Sequence, residues 1–200
     1  LVVGNSGRIE GQDSLSGGSI IFIFVLGLNC FKTSFRFAQA NNISRRAFYL
    51  ATLLSLVGLA IIMGVVDLIL DVLMDSFPIY VSLFEQIYGM SGIAKGLWTT
   101  ASLVFAASLG WMITMIYYRS NTVWKVIVSL SPVAAISVLS LLDRLSGGKA
   151  VSSTLSFLTW AFGFAGETPN PFQAVLTFLA GSAIIWAINI LLLYRAPVKN

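Results

Sequence analysis

The chain has no histidine and a single cysteine, Cys30, in 200 residues. Without imidazole there are no His-ligated metal sites and no Ser-His or Cys-His catalysis within it. A lone thiol cannot close an internal disulfide, and Cys30 lies in an apolar run where it reads as a small core residue. No Gly-x4-Gly-Lys-Ser/Thr phosphate loop is present, so nucleotide hydrolysis would have to come from another chain. Nothing at the polar start, with Gly4, Gly7, Gly11, Gly17 and Gly18, resembles a signal peptide.

Charge is scarce too. Charged residues make up 10% of the sequence, against roughly 25% in a soluble domain. Apolar residues make up 57%, and the mean hydropathy is +0.88. Most of the surface must therefore face lipid or other apolar protein, and the expected fold is an all-α polytopic membrane protein. The 12 Lys and Arg against 8 Asp and Glu would hint at nucleic acid in a soluble protein. Here their distribution speaks for membrane orientation, and no nucleic-acid partner is expected.

A bilayer core about 30 Å thick needs roughly 20 apolar residues in helix. Runs of that kind lie near Leu15–Phe31, Ala47–Met74, Gly96–Tyr118, Val123–Leu142 and Phe172–Tyr194. The first is short, but Lys32 and Arg36 can snorkel and let the helix continue toward Phe37. With five spans, one side receives Lys32, Arg36, Arg45, Arg46, Arg119, Lys125, Arg195 and Lys199. The other receives Arg8, Lys95, Arg144 and Lys149, so the first side is the cytoplasm.

The near-apolar stretch Ala150–Gly166 is long enough to suggest a sixth span, but that would send Arg195 and Lys199 outside. It reads instead as an outer re-entrant hairpin over 150–171, turned by Gly163, Gly166, Pro169 and Pro171. Such backbone is tolerable at membrane depth only when buried in protein. The organisation is thus one transmembrane domain over 1–200, with an extracellular segment 1–14, a cytoplasmic loop 32–46 and a cytoplasmic C-terminus. An outer N-terminus without a signal peptide leads to the expectation of one further helix upstream of Leu1, six in a full chain.

The loop Phe31–Phe48 alternates aromatic and basic residues and breaks at Asn41-Asn42. Ser44 is placed to cap the next helix. On physics alone, the loop is either a short amphipathic helix on the inner face or an ordinary basic anchor held by headgroup attraction.

The string from Phe35 through Asn41-Asn42-Ile43-Ser44-Arg45-Arg46 to Leu50 resembles the loop after the second helix in permease subunits of bacterial ABC exporters of the second, six-span efflux family. There the loop forms the coupling helix that docks on the ATPase. The helix order, with an outer hairpin before the last helix, is similar as well. The resemblance implies ATPase contacts at Phe35, Arg36, Phe37, Gln39, Asn42, Ser44, Arg45 and Arg46. It also implies a partner ABC ATPase that carries ATP and Mg, and a second permease, either the same chain or a homologue. No cofactor or enzymatic activity is then expected on this chain, which would sit in the bacterial cytoplasmic membrane.

Asp67, Asp71 and Asp75 recur at i, i+4 and i+8, on one helical face rising about 12 Å. Carboxylates near the bilayer centre cost roughly 2.5–3.5 kcal/mol on insertion scales. The series is either an acidic lining at the outward exit of a substrate pathway or a helix end that emerges early into water. Gly58, Gly64, Ala106, Ala107, Gly110, Ala180, Gly181 and Ala183 are candidates for close helix approach. Pro132 is expected to kink the fourth span. Trp98, Trp111, Trp124, Tyr117, Tyr118 and Tyr194 read as interfacial anchors.

The leading expectation is a permease that moves a hydrophobic or amphipathic substrate (peptide, drug or lipid) outward under ATP drive. An ion-coupled secondary transporter and a non-transporting scaffold subunit are the alternatives.

Overall fold

A computed structural model describes residues 15–74, 82–89, 92–166 and 168–194. Among these the architecture is wholly helical: α1 (Leu15–Asn29), α2 (Lys32–Ala40), α3 (Arg45–Met74), α4 (Leu83–Tyr88), α5 (Ile93–Arg119), α6 (Thr122–Ser146), α7 (Lys149–Ala161) and α8 (Pro171–Tyr194). Five segments are long and apolar enough to cross a membrane: Gly17–Ala40, Arg45–Met74, Ile93–Arg119, Lys125–Ser146 and Pro171–Tyr194. They match the five expected runs and mark a membrane-embedded protein.

α5 is the central element, packed by α1, α3 and α8. Its small residues let neighbours come close on several sides. A Cβ on Gly110 would strike the Phe24 carbonyl of α1, and one on Gly27 would strike the Ala107 carbonyl of α5. Backbones in lipid gain from such close packing because no hydrophobic drive brings helices together there. Gly64 and Gly181 also pack tightly, against Thr100 and Phe105, whereas Gly58 faces open space.

α6 stands apart: none of its described side chains is buried. It continues through Pro132, which cannot donate to the Val128 carbonyl; the Ser131 hydroxyl donates to that carbonyl instead, at 2.7 Å. Gly147 and Gly148, both at positive φ, then turn the chain into α7. The Asp143 carboxylate accepts from the Val151 N–H at 2.9 Å, placing an anion at the α7 N-terminus.

α7, within the stretch expected to be a re-entrant hairpin, is a helix of 13 residues. At 1.5 Å per residue it is about 20 Å long, short of a bilayer core. Gly163, at φ 78°, turns the chain back toward α8, and its carbonyl accepts from Asn170 N–H at 2.9 Å.

Two cores result. One, at the end of the bundle rich in Lys and Arg, gathers Phe31, Phe35, Phe48, Trp111, Met115 and Tyr118. The other gathers Phe84, Tyr88, Trp98 and Ala174 at the opposite end. Trp98, Trp111 and Tyr118 are buried, which corrects their reading as interfacial anchors. Their rings fill the spaces between helices, Trp111 against Tyr49 at 5.3 Å and Tyr88 against Trp98 at 6.2 Å.

Candidate functional site

The loop 32–46 forms α2 and a tight turn. After a break at Cys30–Phe31 the chain re-enters helix, with Phe35 N–H donating to Phe31 O at 2.8 Å. α2 ends where Asn42 adopts φ 54° and Ile43 N–H donates back to Ala38 O at 2.9 Å. Asn tolerates this left-handed position better than most residues, so Asn41-Asn42 is the stop signal. The Ser44 hydroxyl accepts from the Ala47 N–H at 3.2 Å and caps α3.

α2 has two distinct sides. Phe35 and Ala38 are buried. Phe35 stacks on Phe31 with centroids 4.9 Å apart and meets Phe48 edge-on at 5.4 Å and Tyr118 at 6.0 Å. Phe31 itself lies 5.2 Å from Tyr118. These aromatic contacts tie α2 to both α3 and α5. Phe37 is 69% exposed, and Arg36 projects from the exposed side with Lys32. An apolar groove of about 650 Å³ flanks α2 on the α3 side, lined by Leu26, Cys30, Phe37, Phe48 and Leu56.

The eight residues that the resemblance assigned to ATPase contact thus divide. Arg36, Phe37, Asn42 and Ser44 are exposed, and Gln39 is half-buried. Phe35 faces the bundle. Arg45 donates through Nη1 to the carbonyls of Leu193 and Tyr194, at 3.1 and 2.7 Å, and Arg46 Nε donates to Tyr194 Oη at 2.7 Å. A guanidinium at the last carbonyls of α8 satisfies acceptors the helix cannot and complements its dipole. Sequence spacing alone does not reveal this, because the partners are some 148 residues away.

At the opposite end, Asp67 and Asp71 turn inward and are 5% and 7% exposed. The Asp67 carboxylate accepts from Ser19 Oγ of α1 at 2.7 Å. Lys95 Nζ lies 3.1 Å from Asp71 and 3.0 Å from Glu85 of α4. Buried charges need such partners in a medium that solvates them poorly. Lys95 lies within a spanning helix, and its part in the site was missed by the sequence reading; its signal was a lone Lys within one turn of a span's start. Asp75 lies outside the described residues.

Nearby, Tyr88 Oη donates to the Phe162 carbonyl at 2.9 Å and ties α4 to the turn before α8. Burial pushes the Tyr88 phenol up from its usual range.

Among the described residues no group of three or more His, Cys, Asp or Glu side chains is arranged to hold a metal ion. Chemically, the chain offers an anchored amphipathic helix at its basic end and a buried ion network at the other. No family model, curated protein or solved structure matches this chain.

Proposed function

We propose that this chain is the membrane subunit of an ATP-driven exporter, moving a hydrophobic or amphipathic substrate out of the cell, with α2 as the element on which a separate ATPase acts. The observation that carries this reading is the construction of α2. Its inner side is locked to α3 and α5 through Phe31, Phe35, Phe48 and Tyr118, while Arg36 and Phe37 stand exposed at the basic end. A push on the exposed side is passed to two spanning helices at once, which is what a coupling element requires.

The positive-inside asymmetry puts α2 in the cytoplasm, and α7 with its following turn then forms the outer hairpin. The local string Phe35–Leu50 adds the resemblance to ABC-type permeases, which work as pairs. The test is purification from native membranes. A P-loop ATPase should accompany the wild-type chain and be lost with Phe37→Asp, while thermal stability is kept. An ATPase retained with F37D would defeat the reading.

One observation favours ion-coupled transport as a second reading: the buried Asp67, Asp71 and Lys95 within spanning helices. Intramembrane ionisable groups mark ion and substrate routes by default. Proteoliposomes separate the two. Export that needs ATP and the partner supports the first, and uptake driven by a pH gradient alone supports the second. A chain that moves nothing under either drive is a scaffold.

A further inference from the structure

On the side of α2 away from the apolar groove, a cleft of about 300 Å³ opens between α2, α5 and α6. Lys32 and Arg36, at i and i+4 on α2, and Lys125, in the first turn of α6, line it. Thr114, Tyr117 and Tyr118 of α5 complete it. Tyr117 Oη and Ser129 Oγ are hydrogen-bonded, joining α5 to α6 beside the cleft.

Three cations converge here, and among the described residues none is paired with a carboxylate. The described acids Asp67, Asp71 and Glu85 belong to the network at the far end, and Asp143 caps α7. The N-terminus of α6 adds a positive dipole end, and the side chain of its N-cap, Asn121, makes no capping bond there. Like charges held together without a counter-ion repel, and an anion in the cleft would relieve all three.

We infer that this cleft binds the phosphate of an anionic lipid headgroup. The phosphate chemistry follows from the cations; the lipid source follows from position. The cleft lies at the basic end of the spanning helices. From Lys125 onward, the exposed Val126, Ile127 and Leu130 run along α6, offering an apolar track for the attached acyl chain. Basic pockets between spanning helices on the cytoplasmic side recognise such headgroups.

The test uses the purified full-length chain in neutral detergent, titrated separately with phosphatidylglycerol, phosphatidylcholine and inorganic phosphate. Binding is read by native mass spectrometry and by the unfolding temperature. Phosphatidylglycerol is expected to bind as one retained molecule and to raise the unfolding temperature. The pair Lys32→Gln and Lys125→Gln should weaken it about twenty-five-fold, at about fivefold per cation. Neither residue is assigned to ATPase docking, so the outcome is separate from the exporter reading.

The pair Arg144→Gln and Lys149→Gln, which removes the same charge at the other end, should leave binding unchanged. Equal loss in both pairs would reduce the effect to net charge and overturn the site. Equal binding of phosphatidylcholine would do the same, and a matching response to inorganic phosphate would replace the lipid with a soluble anion. If the first pair fails to fold, the exposed Lys125→Gln alone should still show the fivefold loss.

Discussion

Lys95 and Asp71 meet 3.1 Å apart within the bundle, joining the first turn of α5 to the last turn of α3. Glu85 completes the contact from α4, so a single ammonium holds three elements together. The arrangement makes Lys95 the residue on which this end of the fold depends.

Replacing Lys95 with Met removes the ammonium that Asp71 and Glu85 share. A cost of about 3–5 kcal/mol is expected, read as a lowered unfolding temperature in detergent. Adding Asp71→Asn and Glu85→Gln to Lys95→Met should recover most of it. A single variant as stable as the parent would show that the pair contributes nothing.

Arg45→Ala removes the guanidinium from the Leu193 and Tyr194 carbonyls, at a cost of about 1 kcal/mol. The loss should be local, appearing as faster amide exchange in the last turn of α8. Arg45→Lys should restore part of the protection through charge, though not the two-acceptor geometry.

Gly110→Val places a branched side chain against the Phe24 carbonyl and should force α1 from α5 at a cost of about 3 kcal/mol. Gly58→Ala meets open space and should be neutral or stabilising by up to about 1 kcal/mol. Equal effects at the two positions would contradict the close α1–α5 crossing.

Phe35→Ala empties the aromatic contact under α2 and should cost about 3 kcal/mol. On the exporter reading proposed above, it should also lower substrate-stimulated hydrolysis while ATPase binding persists, because the proposed docking side of α2 is opposite its anchored side. Phe35→Leu should recover stability more than coupling.

The Tyr88 phenol carries a pH dependence. Burial raises its folded-state pKa above the usual value near 10. The folded state therefore holds its proton more tightly than the unfolded one. The contribution is complete below about pH 10 and is lost as pH rises through the folded value. Alkaline unfolding followed by tyrosinate absorbance should show the loss, and Tyr88→Phe should flatten it.

Much of the fold is legible in the sequence because its causes are local. Five apolar runs of membrane length mark the spanning helices, and Asn41-Asn42 followed by Ser44 stops one helix and caps the next. The candidate site was legible only in part. The basic-aromatic pattern marks α2, but not which aromatic faces inward.

The spacing of Asp67 and Asp71 by itself put both on one helical face. That the face turns inward toward Ser19 and Lys95 was decided by the tertiary structure. So were the commitment of Arg45 and Arg46 to α8, the burial of Trp98 and Trp111, and the gathering of Lys32, Arg36 and Lys125 around one cleft. The physical reason is the solvent. In water a buried face is apolar and an exposed face polar, so periodicity reveals which is which. In lipid both faces are apolar, and a helix such as α5 carries little contrast between them. Its orientation is set by which small residues allow contact and which buried charges must find partners, and those partners lie far away in the sequence.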